Sequence, residues 1–388
     1  MFNKALIIFG VTIILLLVGV WIYLFLYGTP KDLGEAFSNF RLESPTEERP
    51  EVPIEATNTQ IPLTAGTMVQ LSTKPAAGFI YLEEGSRLRY AERGTGYVFE
   101  IDLSTGQEER IQGVTRGKTI AAHFSPEGNA VVLVSEGVGR TEAVLQILGG
   151  PGDGVYNLPN NIENVHFLDL DTIRWTVADQ TGTRGYEFNR PDQSTRQLWQ
   201  VPLRDVRVFW QNGSTYVINK PAPRLRGGVY AITNGQLSSL VPAKYALSAV
   251  IDPGGELMLL TYFDTETRAM RSEFLNLNTN ETTETTLKAV PEKCAVDNFS
   301  RVIWCALSSN FFELDRDTLN RWYRGEFTAE DELWTTSLVT ENLGISQFVA
   351  DNTDQVIDMT DVTVTSGAEF IFFRNKVNDS LWMYKKSE

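Results

Sequence analysis

Few residues in this sequence have the type and spacing for chemistry. The two histidines, His123 and His166, each precede a phenylalanine at the same point of successive stretches of similar pattern. Two facing imidazoles without a nearby cysteine or carboxylate cluster make a weak metal site, so we interpret both as framework residues. Four aspartates between residues 351 and 361 carry oxygen ligands, but their spacing is not that of a calcium loop. We interpret them as a solvated acidic turn.

Motifs for catalysis or cofactor binding are absent from the sequence. It contains no Gly-rich phosphate loop, no G-x-S-x-G nucleophile elbow and no H-E-x-x-H pair. Paired carboxylates can hydrolyse glycans, but 49 acidic residues offer too many pairs to select one. We therefore predict no catalytic residue, no cofactor and no metal.

A long segment between residues 310 and 350 is rich in aromatic and arginine side chains. Its candidate residues for binding a protein partner are Arg321, Trp322, Tyr323, Arg324 and Trp334. Trp, Tyr and Arg dominate interface hot spots, and a longer insertion in one repeat commonly carries function. The alternative is that these are ordinary strand residues, with Trp334 equivalent to Trp382.

The only two cysteines, Cys294 and Cys305, flank the turn of a predicted hairpin. On antiparallel strands they would face each other, with Cα atoms about 4.5 Å apart, at the short end of the range for a disulfide. We predict a disulfide. The alternative is two buried free thiols that act as small apolar residues.

The elements that must position these residues recur seven times. Each repeat has an apolar β-rich run, a tight turn of Gly, Asp, Asn or Pro, and a second β-rich run. The turns lie near residues 74–78, 126–129, 169–171, 211–214, 252–255, 297–300 and 365–368. Most intervals are roughly 41 to 51 residues, the length of a four-stranded propeller blade. The sequence therefore predicts an all-β fold, a seven-bladed β-propeller.

Two of these turns resemble a known family. Residues 123–129 lead into an apolar strand at 130–135, and residues 252–255 lead into another at 256–262. They are similar to the turn of TolB-like and WD-repeat propellers, in which a proline fixes one dihedral angle and a glycine accepts a positive φ. The resemblance implies a propeller but no particular activity, because propellers carry unrelated functions.

The last repeat shows only three clear strands, at 356–365, 369–374 and 380–385. Its unpaired outer edge would invite aggregation. We therefore predict that residues 54–63 supply the fourth strand, so that the propeller spans residues 54–388 and is closed by both ends of the domain.

The first 27 residues have a different character. Residues 5–27 carry no charge and, as a helix, would span a hydrocarbon core of about 30 Å. Trp21, Tyr23 and Tyr27 gather at one end, as in an interfacial aromatic belt. We predict a single transmembrane anchor over residues 1–27. A cleaved signal peptide is the alternative, although the apolar stretch is long for one.

The composition of residues 28–53 predicts an acidic, Pro-rich linker, because three prolines and three glutamates lie between residues 45 and 53. The basic residues on the two sides of the anchor nearly balance. The short basic N-terminus and the predicted disulfide favour a propeller on the extracytoplasmic side. The formal net charge of −15 would repel phosphate backbones, so nucleic-acid binding is not expected.

Four short segments around the cysteines and the aromatic insertion carry a second resemblance. They are Lys293-Cys294, residues 304–306, residues 322–325 and residues 331–334. Together they resemble a set of membrane-anchored propeller proteins of candidate-phylum bacteria, from which Ala295-Val296 departs because an aromatic is common there. This resemblance implies location and architecture, not an activity.

These observations predict a membrane-anchored, extracytoplasmic propeller that acts as a non-enzymatic scaffold for a protein partner, in the cell envelope or a surface assembly. The alternative is a surface glycan hydrolase or lyase with its site at the mouth of the propeller channel.

Overall fold

The computed structural model describes residues 65–149, 154–211, 213–222, 224–297, 299–308, 316–338, 345–349 and 353–386. The predicted anchor (1–27), linker (28–53) and closing strand (54–63) lie outside these residues. Among the described residues, no helix has both the length and the apolar character needed to cross a bilayer.

The described chain is built almost entirely from antiparallel sheets. The first three four-stranded sheets follow the chain order. They contain β2 (Ala76–Leu82), β3 (Arg87–Glu92), β4 (Val98–Asp102) and β5 (Gln107–Gln112); β6 (Thr119–Phe124), β7 (Ala130–Glu136), β8 (Thr141–Ile147) and β9 (Val155–Leu158); and β10 (Ile162–Phe167), β11 (Thr172–Asp179), β12 (Gly182–Asn189) and β13 (Ser194–Val201).

A seven-stranded sheet comes next. Its strands are β14 (Val206–Gln211), β15 (Ser214–Asn219), β16 (Arg226–Thr233), β17 (Gln236–Ile251), β18 (Leu257–Asp264), β19 (Ala269–Asn276) and β20 (Thr282–Thr285). The 16-residue β17 pairs with β16 through its first part and with β18 through its second part.

Two further four-stranded sheets complete the described fold. One contains β21 (Cys294–Asp297), β22 (Val302–Ser308), β23 (Asp331–Ser337) and β24 (Ile345–Val349); the other contains β1 (Met68–Gln70), β25 (Met359–Val364), β26 (Phe370–Asn375) and β27 (Ser380–Lys385). The helical elements are α1 (Arg316–Tyr323) and two 3-10 turns, Pro291–Lys293 and Ser366–Ala368.

A polar side chain organises the turn between two consecutive strands at several places in the fold. Its oxygen accepts a hydrogen bond from a backbone N–H a few residues further along the chain. These pairs include Ser125 with Ala130 (3.0 Å), Asp169 with Thr172 (2.7 Å), Asp252 with Leu257 (2.5 Å) and Thr365 with Phe370 (3.0 Å). Such bonds stabilise the turn directly, which explains why Ser, Thr or Asp recurs at this place in the sequence.

The apolar core lies between neighbouring sheets. In β7, for example, Val131 and Val132 point to opposite faces and both are fully buried, each in a different core cluster. The last sheet packs on the first in the same way, since Phe372 and Met383 share a cluster with Leu88. Every sheet therefore depends on its neighbours, including across the junction of the two ends of the described chain.

The strand that joins this junction is β1. Met68 pairs with Tyr384 and Val69 with Met383, so the beginning of the described chain forms the outer strand of the last sheet. The sequence prediction placed a closing strand at residues 54–63, which the structure does not describe; the described strand in this place is Met68–Gln70.

We expect the Met68→Ala substitution to lower the free energy of unfolding by about 2–5 kcal/mol, because it leaves a cavity at a buried side chain. Urea unfolding of the detergent-solubilised full chain, followed by circular dichroism, measures this loss. The control is Val114→Ala at a side chain that is 54% exposed. Equal effects of the two substitutions would show that packing of β1 does not support the fold.

Candidate functional site

Three of the predicted partner-binding residues, Arg321, Trp322 and Tyr323, lie in the helix α1, whereas Trp334 lies on the strand β23. In α1, Leu319, Trp322 and Tyr323 pack together against Val290 and Met270. Residues three and four apart share a helix face, so the spacing that brings Leu319, Trp322 and Tyr323 together is helical.

Trp322 is buried and Tyr323 is half-buried in this packing, whereas the sequence prediction placed both at a partner-binding surface. Trp322 is 3% exposed, and its indole N–H donates to both carboxylate oxygens of Asp358, at 2.9 and 3.0 Å. The Tyr323 hydroxyl donates to Glu292 Oε1 at 2.8 Å. Arg321 and Arg324 are exposed, and Arg324 forms an ion pair of 2.8 Å with Glu326.

A buried lysine lies beneath α1. Lys293 Nζ is 2.5 Å from Asp331 Oδ2 and 2.7 Å from Asp358 Oδ1, and all three side chains are at most 2% exposed. Backbone amides complete the network, because Met359 N–H donates to Asp331 and Ala329 N–H donates to Asp358. The cluster thus ties the 3-10 turn at Pro291–Lys293 to the starts of β23 and β25, and its burial gives it a structural role.

Burial in and around this cluster shifts the pKa of two side chains, Asp331 and Lys376. Burial raises the pKa of Asp331 from 3.8 to about 6, although the ammonium of Lys293 acts in the opposite direction. One of its oxygens, Oδ1, has no hydrogen-bond partner. Burial also lowers the pKa of Lys376, whose Nζ lies 4.0 Å from the centre of the Trp322 ring.

A second polar cluster surrounds Glu292. Its Oε1 accepts hydrogen bonds from Ser248 Oγ at 2.7 Å and from Tyr323 at 2.8 Å, and Arg207 Nη1 lies 2.6 Å away. Burial raises the pKa of the Tyr323 hydroxyl. The cluster joins β14, β17 and α1, which are far apart in sequence. Sequence reasoning missed Glu292, Lys293 and Arg207; a charged pair directly before an apolar strand was the only local signal.

The two histidines occupy the first strands of separate sheets, β6 and β10. Burial lowers the pKa of His123 to about 4, and burial followed by the charge of Arg174 lowers the pKa of His166. Within the described ranges, no three His, Cys, Asp or Glu side chains are grouped so that they could hold a metal ion.

The two cysteines form a disulfide between β21 and β22, with Sγ atoms 2.07 Å apart and Cα atoms 4.1 Å apart. They are direct partners in the register, and Cys305 is in turn the partner of Trp334 on β23. Directly opposed residues on paired strands point to the same face of a sheet. The disulfide and Trp334 therefore form one row, which faces the core beneath β19.

Trp334 also lines an opening of about 850 Å³. We call this opening the Trp334 groove. It lies between β19–β20 and β22–β23, and its principal lining residues are Met270, Arg271, Glu284, Lys288, Leu307 and Trp334. Of the five predicted partner-binding residues, Trp334 alone lines it, and none of the other lining residues was predicted.

Comparisons with known proteins identify the class of fold. No protein-family model and no curated protein matches the sequence. Solved structures do match, and one of them is an oligogalacturonate lyase in complex with manganese, with a TM-score of 0.60, 11% identity and coverage of 87% of this chain and 97% of that chain. The β-propeller domain of the Trilobed protease from Pyrococcus furiosus matches with a TM-score of 0.51, 11% identity and coverage of 83% of this chain and 93% of that chain. The Swd1 β-propeller domain from Myceliophteria thermophila matches with a TM-score of 0.55, 9% identity and coverage of 83% of this chain and 100% of that chain.

The described part of the chain therefore has the β-propeller fold, as the repeats in the sequence predicted. At 9–11% identity these likenesses establish the fold alone.

The raised pKa of Asp331 predicts a stability that depends on pH. Because the folded state binds this proton more tightly than the unfolded state, the contribution of Asp331 is present below about pH 4 and is lost as the pH rises to about 6. The free energy of unfolding of Asp331→Asn minus that of the wild type should thus increase over this range, by at most about 1.4 kcal/mol per pH unit.

Urea unfolding at several pH values measures this difference. The two histidines His123 and His166 should make the free energy of unfolding change with pH in the opposite direction, but both proteins contain them, so their contribution cancels in the difference. Asp354→Asn, at an exposed carboxylate, is the matched control. A difference that does not change with pH would contradict the assignment.

The buried position of Trp322 predicts that Trp322→Ala destabilises the fold by about 3–5 kcal/mol, because it leaves a cavity and removes a donor from a buried carboxylate. Arg324 directly follows the last residue of α1. The Arg324→Ala substitution should change the free energy of unfolding little, because the ion pair of Arg324 is exposed. Thermal unfolding of both variants tests this, and a fully stable Trp322→Ala protein would refute it.

Proposed function

We propose that this chain is a membrane-anchored, extracytoplasmic β-propeller that acts as a protein-interaction scaffold in the cell envelope or in a surface assembly. In this proposal residues 1–27 are the anchor, residues 28–53 are the spacer, and the Trp334 groove is the face that binds the partner.

The proposed propeller has seven blades, of which two share β17. Support comes from the pairing of β17, in which residues 236–245 pair with β16 and residues 245–251 pair with β18. A register shift between Tyr245 and Ser248 marks the change of partner. In this proposal β17 is the last strand of one four-stranded blade and the first strand of the next.

The proposed location rests on sequence and on redox chemistry. The uncharged run at residues 5–27 is long enough to span a membrane. Disulfides persist in oxidising compartments and are rare in the cytosol, so the bond between Cys294 and Cys305 supports a propeller outside the cytoplasm.

The observation that carries the scaffold function is the composition of the Trp334 groove. Trp334, Met270 and Arg271 line one opening, and these three residue types are enriched at protein interfaces. Trp334 is half-buried, and its indole nitrogen has no hydrogen-bond partner in the described structure. An aromatic anchor between apolar and charged neighbours is the arrangement of an interface hot spot.

The enzymatic alternative, a glycan hydrolase or lyase, has one supporting observation. Glu292 Oε2 is buried without a hydrogen-bond partner in the described structure, next to Arg207 of β14 and Tyr323 of α1. Such a carboxylate could act as a general base. Turnover of oligogalacturonate by the wild type that is lost in Glu292→Gln would favour this alternative.

The scaffold proposal is tested in intact cells with the full chain. A photo-cross-linking amino acid replaces Thr267 at the groove or, as the control, the fully exposed Val138 on a distant hairpin. We expect a discrete protein adduct from position 267 that a membrane-impermeant biotinylation reagent also labels, and its yield should fall about tenfold in Trp334→Ala. Equal adducts from both positions, or an adduct that Trp334→Ala leaves unchanged, would refute the proposal.

A further inference from the structure

The Trp334 groove contains an unpaired length of strand. All eight residues of β19 pair with β18, but β20 pairs only with Ser272 to Leu275. The three residues Ala269, Met270 and Arg271 thus run past the end of β20. On that side, the described chain places no strand beside them, and the edge opens into the groove.

The walls of the groove are suited to an amphipathic segment. Met270 and Leu307, which are 4% and 8% exposed, border the groove beside Trp334. Arg271 already has acidic partners, Asp264 at 2.9 Å and Glu284 at 3.4 Å. Lys288 is exposed, and no described carboxylate lies within ion-pair distance of it. In a chain with a net charge of −15, this is a local cationic site without a counter-ion.

We propose that the Trp334 groove binds an extended acidic segment of the protein partner, which pairs as an added strand with the free edge at Ala269–Arg271 and places a carboxylate at Lys288. This inference rests on the proposed scaffold function and names the chemistry of its partner.

The addition of a strand would use both features of the groove, the free backbone edge and the apolar and charged side chains. Backbone hydrogen bonds to a free edge provide affinity, and alternate side chains provide specificity. Because successive side chains of a strand point to opposite faces, one set would contact Trp334 and Met270 while the other set faces solvent and Lys288. An added strand would also cover an edge that is otherwise open to unspecific pairing.

The experiment uses the full chain in detergent micelles and fluorescence anisotropy of labelled eight-residue peptides. The probe alternates glutamate and valine. Its controls are a block isomer with four glutamates followed by four valines, and alternating peptides N-methylated along one edge or along the other. We expect the alternating peptide to bind at least tenfold more tightly than the block isomer. Methylation of one edge only should abolish binding, because a single edge of the peptide faces β19.

Two variants of the chain locate the site. Lys288→Glu should weaken binding of the alternating peptide about tenfold or more, since it places a like charge at the carboxylate. Lys118→Glu, the same change at an exposed lysine in the turn before β6, should leave binding unchanged. Circular dichroism verifies that both variants fold.

Three results would overturn the inference: no binding of the alternating peptide, equal binding of the block isomer, or equal tolerance of methylation on the two edges. Binding of oligogalacturonate with the same dependence on Lys288 would assign the groove to an anionic glycan instead. If the adduct from position 267 forms but the alternating peptide does not bind, the scaffold function stands and strand addition fails. If neither occurs, both fail.

Discussion

Each sheet of this propeller has two apolar faces, and neither can be left in water. Val131 and Val132 illustrate the constraint, because adjacent residues of one strand are both fully buried and belong to cores on opposite sides. A sheet of this kind is stable only between two others. The last sheet must therefore pack on the first, and β1 must cross the junction to pair with β27.

The buried lysine cluster adds specificity to this packing. Removing an ammonium and two carboxylates from water is costly, and their mutual attraction offsets the cost only when the geometry is good. Here two carboxylates contact Lys293, and two backbone amides donate hydrogen bonds to those carboxylates. The cluster fixes where α1 lies, because Trp322 donates to Asp358 and the neighbouring Tyr323 donates to Glu292. Trp322 and Tyr323 thus hold α1 against the sheets.

The disulfide and the Trp334 groove are connected through the register of one sheet. Cys294, Cys305 and Trp334 stand in a row on three adjacent strands. A covalent bond at one end of the row restrains β21 and β22, and β22 in turn supports β23 where Trp334 lies. An indole held by a rigid sheet loses little conformational entropy on binding, which favours its use as an anchor.

Much of the fold could be predicted from sequence, because strands and turns are local. The turns at Ser125 and Asp252 combine a side-chain acceptor with a following glycine at positive φ, and such chemistry is visible in a few consecutive residues. The two cysteines are also close in sequence, so the register of a single hairpin decides whether they face each other.

The environment of the candidate site could not be predicted, because it depends on contacts between distant residues. Lys293 and Asp358 are 65 positions apart, and Arg207 is 85 positions from Glu292. No local pattern shows that Trp322 points inward to a carboxylate while Trp334 lines an opening. The sequence by itself therefore determined the strands, the turns and the class of fold. The tertiary structure alone decided which aromatic and charged residues are buried, because burial depends on which sheets pack together.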